Sequence, residues 1–210
     1  MEADFWHDRW ANGVIGFHQS DINEYLLNYW PKLNLKKGSE VIVPLCGKSS
    51  DMLWLREQGH DVLGIELNPT AVQGFFTENN LVATKIEHDC LKGTCCQNIR
   101  ILEGDFFKLS HEDCKNITAI YDRAALVALP KEMRQKYVKK LFNILPATPP
   151  ILLIIMEYDQ SKIAGPPFSV VESEVNFLYQ EHYKIQKMAE KVYQWKGVET
   201  IEKVYLLQKK

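Results

Sequence analysis

The sequence has no long hydrophobic run and no excess of charge of either sign. Its longest purely aliphatic run, residues 151–156, is far too short to span a bilayer. The first ten residues are acidic and aromatic, unlike a secretory signal peptide. Because 25 Lys and Arg stand against 27 Asp and Glu, for a net charge of -2, the chain has no strong attraction to nucleic acid or to an anionic membrane. We expect neither as a partner.

Paired cysteines are also lacking. The chain has five cysteines, an odd number; two of them are adjacent and no CxxC motif occurs: Cys46, Cys90, Cys95, Cys96 and Cys114. Neither a zinc ligand set nor a disulfide framework is indicated, so we expect no metal. Reduced thiols are typical of the cytosol, and the prediction is a cytoplasmic protein.

What the sequence does have is a set of unbroken aliphatic runs, at residues 41–43, 62–65, 117–121 and 151–156. Runs that do not alternate with polar residues are typical of strands covered on both faces, as in a parallel sheet. Predicted helices between them fit right-handed crossovers. With 210 residues, the chain is expected to form a single domain, in which residues 1–35 make a helical cap or lid.

The predicted fold is therefore α/β, with one doubly wound, mostly parallel sheet and an antiparallel edge formed by residues 183–192 and 200–208. Three local features are expected as well. Ser20 or Asp21 caps a helix that runs to Trp30. Residues 92–94, Lys-Gly-Thr, form a hairpin turn, and residues 99–102 form a strand in an antiparallel excursion.

The central stretch is residues 41–66, which read as strand, tight loop, helix, strand and a final acid, Glu66. This is the layout of a nucleotide-type cofactor site in an open α/β sheet. A P-loop is disfavoured because Ile42 occupies the position of its first glycine. A dinucleotide site is disfavoured because Gly47 is the only glycine of the loop, and Lys48 and Ser49 would crowd a pyrophosphate.

S-adenosyl-L-methionine (SAM) is the third candidate and the favoured one. It carries no phosphate, so it does not require the full set of glycines. Its ribose diol needs a hydrogen-bond acceptor, and one carboxylate can accept from both hydroxyls. Glu66, at the end of its strand, is placed for that role.

Four blocks of sequence resemble the thiopurine S-methyltransferase family, especially its bacterial members. They are FWHDRWANGVIGFHQ, VPLCGKSSDMLWLREQGHDVLGIE, YDRAALVALP and GPPFSV, spread over residues 5–170. The resemblance implies a seven-stranded, Rossmann-like SAM-dependent methyltransferase fold with SAM as the cofactor. It implies methyl transfer to a thiol or thiopurine sulfur, and in some bacterial relatives to selenium or tellurium compounds. The expected partner is a small-molecule acceptor, and the expected state is a monomer.

The resemblance also implies a set of cofactor-binding residues. An indole beside a sulfonium gains cation–π attraction, which is the role expected of Trp10. Other contacts are expected from the loop after the first strand, from the acid, from an acid–aromatic pair beside the adenine and from the arginine of the third block: Leu45, Gly47, Glu66, Asp105, Phe106 and Arg123.

Arg123 is the expected catalytic residue, because its permanent charge can stabilise an anionic sulfur acceptor. Asp122 is expected to brace it as an ion-pair partner. The substrate-binding residues implied are Phe17, Pro166 and Phe168.

Two other residue types attract attention near these motifs. Cys46 is interpreted as a small buried thiol rather than a nucleophile. His7 and His18 could act as acid–base groups, but a loop-bracing or solvent-facing role is favoured for both. The chain also departs from the larger family members, which carry a longer segment with an additional arginine where this one has only residues 192–198, so acceptor preference cannot be transferred directly.

The predicted mechanism is a direct SN2 displacement at the sulfonium methyl group, aided mainly by alignment of the two reactants. The alternative is a SAM-binding or interaction protein without catalysis on the same fold. A nucleic-acid methyltransferase is disfavoured because Tyr121-Asp122-Arg123-Ala124 is not the [DNS]PP[YFW] type of motif.

Overall fold

The computed structural model describes residues 3–16, 18–145 and 147–210. Within them, one mixed sheet carries nine strands, and helices pack on both of its faces. The helices are α1 Ala3–Ala11, α2 Glu24–Tyr29, α3 Asp51–Glu57, α4 Pro69–Glu78, α5 His111–Cys114, α6 Ala125–Ala128, α7 Lys131–Ile144 and α8 Glu172–Tyr179. The strands are β1 Glu40–Pro44, β2 Asp61–Glu66, β3 Thr84–Ile86, β4 Lys92–Cys96, β5 Ile99–Glu103, β6 Ile117–Arg123, β7 Ile151–Tyr158, β8 Tyr183–Trp195 and β9 Val198–Lys209. Short 3-10 turns cover Trp30–Leu33 and Phe106–Lys108.

The strand order across the sheet is β3-β4-β5-β2-β1-β6-β7-β9-β8. The five central strands, β5 to β7 in that order, are parallel, and antiparallel pairs flank them on both sides. The chain builds outward from β1 to β2 and β5, then returns to place β6 on the other side of β1. This reversal is a topological switch point, and open α/β sheets bind ligands in the crevice that it leaves at the carboxyl ends of the strands.

The aliphatic runs are buried on both faces, as their lack of alternation predicted. Val41 and Val43 pack with α2, α3 and α4 on one face, whereas Ile42 between them packs with α7 and α8 on the other. Successive side chains of a strand point to opposite faces, so each aliphatic run supplies both cores at once. No helix of the described residues combines the length and apolarity needed to cross a membrane.

The predicted α/β class and antiparallel edge are confirmed, but the strand count of seven was too low. Residues 92–94 are not a turn, because they lie inside β4, which pairs with β3 and β5. The turn falls at Gln97, whose φ is +52°. The prediction of a turn was based on Gly93. A Cβ at that position would lie 2.2 Å from Ile86 Cγ1, so this glycine allows two strands to pack closely and does not form a chain reversal.

Two further expectations are corrected. The predicted strand at residues 99–102 is confirmed as part of β5 and pairs antiparallel with β4, but it also pairs in parallel with β2 and so belongs to the central sheet. Helix α2 is capped by Asn23 rather than by Ser20 or Asp21. The Asn23 side chain accepts hydrogen bonds from the backbone N–H groups of Tyr25 and Leu26.

Asp122 does not brace Arg123 as expected. Its side chain points into the α7 face of the sheet, where it is fully buried and accepts hydrogen bonds from Tyr137 Oη at 2.6 Å and Leu126 N at 3.2 Å. Burial raises the pKa of Asp122 to about 6, because loss of hydration outweighs these hydrogen bonds. Asp122 therefore ties β6 to α6 and α7.

Removing the Tyr137 hydroxyl should destabilise the protein. In Tyr137→Phe, Asp122 keeps its burial but loses its shortest hydrogen bond, so we expect the free energy of unfolding to fall by about 1–3 kcal/mol. Chemical denaturation at neutral pH measures the change. The control is Tyr193→Phe, which removes a hydroxyl from the half-buried ring of an edge strand. An equal loss in both variants would contradict the role given to the Asp122 bond.

Candidate active site

A cleft of about 290 Å³ lies at the carboxyl ends of the central strands, at the switch point between β1 and β6. It is walled by the loop after β1, the ends of β2 and β6, the 3-10 turn after β5, and the N-terminal segment. All seven predicted cofactor-binding residues line it: Trp10, Leu45, Gly47, Glu66, Asp105, Phe106 and Arg123.

The loop after β1 is tight because two of its residues adopt left-handed backbone conformations. Leu45 has φ +49° and Gly47 has φ +54°. The first is uncommon for a residue with a side chain, and the second is where glycine is favoured. The N–H of Cys46 donates to the carbonyl of Ile65 at 3.0 Å, which ties the loop to the end of β2. The Cys46 thiol is buried, and burial raises its pKa well above the ordinary value, as expected of an inert thiol.

Glu66 joins the two segments that follow β1 and β2. Its Oε2 accepts a hydrogen bond from Gly47 N and its Oε1 accepts one from Asn68 N, each at 2.8 Å. The residue is 6% exposed, and burial raises the pKa of its carboxyl although the backbone hydrogen bonds oppose this. A carboxylate has about four acceptor sites. Its backbone hydrogen bonds therefore leave acceptor capacity for a ligand in the cleft.

Trp10 lies directly over the loop after β1. A Cβ at Gly47 would lie 3.3 Å from Cζ2 of the indole, so the glycine lets the ring approach the backbone closely. Helix α1 is held there by His7, whose Nδ1 lies 3.0 Å from Nδ2 of Asn68. Trp6, one turn away on the same helix, also lines the cleft. The prediction that both tryptophans share one helical face is consistent with this placement.

Asp105 and Phe106 enter the cleft from the turn after β5. The Asp105 carboxylate caps that turn by accepting a hydrogen bond from Phe107 N at 2.9 Å. Phe106 is almost fully buried, and its ring packs at 4.9 Å from that of Tyr137. Its ring is therefore fixed by the α7 core and presents only a small part of its surface to the cleft.

Arg123, at the end of β6, is anchored by an acid from another element. Its Nη1 lies 3.5 Å from Oδ2 of Asp51, the first residue of α3. That carboxylate is buried and also accepts hydrogen bonds from Tyr121 Oη at 2.9 Å and Asn23 N at 2.8 Å. Burial, with the Asp51 charge beside it, raises the pKa of Tyr121 well above its ordinary value, which keeps the hydroxyl protonated as a donor.

Of the three predicted substrate-binding residues, one lines the cleft, one does not, and one lies outside the described residues. Pro166 lines the cleft, together with Pro167. Phe168 is absent from the described lining: its ring packs beside Gly165, where a Cβ would lie 2.6 Å from Cδ1, and its N–H donates to the carbonyl of Val127. Phe17 lies outside the described residues.

Several lining residues were missed from the sequence. Lys48 pairs with Glu78 at 2.6 Å, and Met133, Leu129 and Val127 form an apolar wall from α6 and α7. Asp51, which holds Arg123 from outside the described lining, was missed as well; it opens a helix whose next four residues are apolar, a pattern that could have marked it as buried. His18 lines the cleft as well, and its backbone N–H braces the turn after α1 by donating to the carbonyl of Ile15.

The architecture matches that of known SAM-dependent methyltransferases. A SAM-dependent methyltransferase from Methanosarcina mazei aligns with a TM-score of 0.64 at 16% identity, over 90% of this chain and 98% of its own. A 1,6-didemethyltoxoflavin-N1-methyltransferase from Burkholderia thailandensis, solved with bound S-adenosylhomocysteine, aligns with a TM-score of 0.63 at 13% identity, over 98% of this chain and 86% of its own. The fold is therefore that of the SAM-dependent methyltransferases.

Sequence comparison narrows the class to one family. The family model described as "Thiopurine S-methyltransferase (TPMT)" matches residues 1–210. Proteins named thiopurine S-methyltransferase are 49% identical over 175 residues in Pseudomonas entomophila and 46% identical over 189 residues in Nitrosospira multiformis. These alignments cover 83% and 90% of this chain and 81% and 86% of the relatives. The chain belongs to the thiopurine S-methyltransferase family and is a SAM-dependent methyltransferase.

The residues of the cleft fit SAM as the cofactor. Glu66 keeps acceptor sites free, Gly47 exposes backbone in a narrow loop, and an indole lies over that loop. No second glycine is available for a pyrophosphate in this loop, and SAM needs none.

Breaking the buried ion pair behind Arg123 should be costly. In Asp51→Asn the Arg123 guanidinium loses its charge partner. The two groups that donate hydrogen bonds to the Asp51 carboxylate, Tyr121 Oη and Asn23 N, are left with one neutral acceptor oxygen between them. We therefore expect the free energy of unfolding to fall by about 3–5 kcal/mol. Thermal or chemical denaturation measures it. Glu78→Gln is the control, since it breaks a pair whose acid is largely exposed and should cost less than about 1 kcal/mol. Similar losses in the two variants would contradict the importance of the buried pair.

Proposed function

We propose that this protein moves the methyl group of SAM to the sulfur of a small aromatic thiol, with thiopurines as the acceptor class. The observation that carries the proposal is the meeting of Glu66, Trp10 and Arg123 in one cleft at the switch point of the sheet. These residues come from β2, α1 and β6, so only the folded chain brings them together. The name of the relative that is 49% identical over 175 residues supports the sulfur acceptor.

The donor would be held by groups from both sides of the loop after β1. Glu66 offers its remaining acceptor capacity to the ribose hydroxyls, while its hydrogen bonds to the backbone hold Gly47 and Asn68 in place. Trp10 offers a π face to the sulfonium. Asp105 and Phe106, at the end of β5, are assigned to the adenine. Leu45 is assigned through its backbone, whose left-handed conformation turns the loop towards the cleft.

The acceptor would lie between Arg123 and the apolar wall. Leu129, Met133 and Pro166 provide surface for a flat ring, and Arg123 provides a cation in the same lining. A guanidinium held by Asp51 is fixed in position before the acceptor binds, so it can stabilise a sulfur anion without reorganisation. Its charge is partly balanced by Asp51, which also lets a cationic donor lie in the same cleft.

When bound, SAM supplies an electrophilic methyl group on a sulfonium that is already a good leaving group. The chain's own contribution is to align two reactants and to exclude water, and well-oriented pairs can gain about 7–11 kcal/mol of barrier in this way. Trp6 and Trp10 on α1 cover the cleft from the N-terminal side, which assists the exclusion of water.

Loss of the Glu66 carboxylate should weaken SAM binding. In Glu66→Ala we expect affinity to fall about 10- to 100-fold, because hydrogen bonds to a charged group contribute about 1.5–3 kcal/mol. Isothermal titration calorimetry with SAM measures the change.

Glu103→Ala is the matched control. Glu103 ends β5 in register with Glu66 on the neighbouring strand, but it pairs with Lys92 and is absent from the described cleft lining. Its removal should change the Kd for SAM by less than about threefold, which is a smaller change in binding free energy than the 1.4 kcal/mol that corresponds to a tenfold change. If wild type binds no SAM, the assignment of the cleft fails. If Glu66→Ala binds as tightly as wild type, the role given to Glu66 is wrong.

Arg123 should matter for the acceptor more than for the donor. In Arg123→Lys, which keeps the charge but loses the planar fork, we expect kcat/KM for 6-mercaptopurine to fall about 10- to 100-fold. SAM affinity should change little. Arg100→Lys is the control, since Arg100 also pairs with an acid, Glu40, but at the opposite end of the sheet.

The same assay tests the acceptor class. Wild type should methylate thiopurines and benzenethiols. Selenite and tellurite should be assayed as acceptors as well, because the family resemblance implies methylation of selenium and tellurium compounds in some bacterial relatives. Transfer to any aromatic thiol dismisses the alternative of a non-catalytic SAM-binding protein. Transfer to selenium or tellurium compounds without transfer to any thiol would replace the proposed acceptor. An unchanged rate in Arg123→Lys would remove Arg123 from the mechanism.

A further inference from the structure

The six histidines of the chain divide sharply by their surroundings. In five of them the imidazole ring contacts another group of the described structure. His7 contacts Asn68 at 3.0 Å, His60 accepts a hydrogen bond from Trp30 Nε1 at 3.1 Å, and His88 pairs with Asp113 at 2.6 Å. The His111 ring lies 3.0 Å from the backbone carbonyl of Ile144, and the His182 ring packs edge-on against Phe142. Each of these rings therefore has a structural role.

His18 is the exception. Its backbone N–H donates to the carbonyl of Ile15 at 2.8 Å, which holds the turn after α1, but its imidazole has no hydrogen-bond partner among residues 3–16, 18–145 and 147–210. It is also the only one of the six among the described residues that line the cleft, where it shares the wall with Lys48 and Arg123. The ring is half-buried, so a ligand in the cleft can reach it while bulk water is partly excluded.

The charges around His18 favour the neutral ring. Burial lowers its pKa below 6.5, the positive charges of Lys48 and Arg123 lower it further, and the negative charge of Glu78 opposes them. Glu66 and Asp105 are the other acids of the cleft lining. At neutral pH the imidazole is therefore unprotonated and able to accept a proton.

We propose that His18 is the general base that removes the proton of the acceptor thiol, an assignment that rests on the proposed function. The S–H bond breaks, its electron pair stays on the acceptor sulfur, and its proton goes to a ring nitrogen of His18. The sulfur then forms a bond to the methyl carbon. The bond between that carbon and the donor sulfur breaks, and its electron pair goes to the donor sulfur, which becomes a neutral thioether. His18 returns to the neutral form by releasing the proton to water.

The need for this base depends on the acidity of the acceptor. A thiol that is ionised at neutral pH arrives as a thiolate and requires no base. An alkyl-type thiol, like the cysteine side chain with its pKa of about 8.5, is mostly protonated and does require one. Loss of His18 should therefore affect weakly acidic thiols much more than acidic ones, whereas a purely structural defect would affect both alike.

The experiment compares His18→Gln with wild type on two aromatic acceptors of similar size. Benzyl mercaptan is protonated at pH 7, and 4-nitrobenzenethiol is ionised. We expect kcat to fall about 100-fold for benzyl mercaptan and less than about threefold for 4-nitrobenzenethiol, in line with the usual contribution of general base catalysis. His182→Gln, which removes an exposed ring far from the cleft, should leave both rates unchanged.

The pH dependence gives a second readout. Wild-type kcat/KM for benzyl mercaptan should fall on the acid side with a pKa below 6.5, as His18 becomes protonated. In His18→Gln that limb should disappear, and the rate should rise about tenfold per pH unit with the thiolate fraction. The wild-type acid limb can be measured even if the variant folds poorly.

Each outcome decides between the alternatives. Equal losses on both acceptors, no loss on either, or a wild-type profile without the acid limb would overturn the role of His18 while leaving the proposed function standing. Wild type that binds SAM but methylates neither of these thiols nor 6-mercaptopurine would overturn the proposed function, and this inference with it.

Discussion

The carboxylate of Glu66 is the interaction on which the cleft depends. A buried carboxylate must be hydrogen-bonded, and this one takes its partners from the backbone of two loops that follow neighbouring strands. The loop after β1 can present the Gly47 N–H only because its backbone is left-handed at that position. The absence of a side chain at Gly47 also lets the Trp10 ring lie close to this loop. One acid thereby sets the positions of loop, helix start and indole.

Charge pairing shapes the other half of the cleft. Both cations of the lining have an acidic partner: Arg123 pairs with the buried Asp51, and Lys48 with Glu78. A pocket of unpaired cations would repel a sulfonium donor. Pairing reduces that repulsion and leaves each cation in a fixed place, which suits the proposed placement of a positive donor beside a sulfur nucleophile. In that proposal the apolar side chains of Leu129 and Met133 would exclude water between the two reactants.

The central strands could be predicted from local patterns in the sequence, and the residues that line the cleft from those patterns together with the family resemblance. Unbroken aliphatic runs are buried on both faces wherever they occur, and an acid that ends the second strand has to lie beside the loop that follows the first. Gly93 shows the limit of such patterns. Glycine marks a turn as often as a close packing contact, and only Ile86, from another strand, decides which.

Contacts between distant segments explain the remaining differences. Asp122 and Arg123 are adjacent in sequence, which suggested an ion pair, but alternate residues of a strand face opposite sides of a sheet, so the two side chains meet Tyr137 and Asp51 instead. Phe168 follows two prolines that line the cleft, yet its own ring packs beside Gly165. His18 lies on a loop, and the groups that surround it come from three other elements, which no reading of its neighbours in sequence could supply.

Asn68 illustrates how strongly one position can be constrained by several unrelated tasks. Its backbone N–H serves Glu66, its Oδ1 caps α4 by accepting from Thr70 N and Ala71 N, and its Nδ2 faces His7 on α1. Aspartate could cap the helix but has no hydrogen to donate to the imidazole, serine is too short to reach it, and glutamine would misplace both atoms. Since the amide nitrogen can only donate, the facing Nδ1 of His7 must accept, which places that ring's proton on Nε2. Exchange of a single side-chain atom at Asn68 would therefore change the tautomer of a residue 61 positions away in the chain.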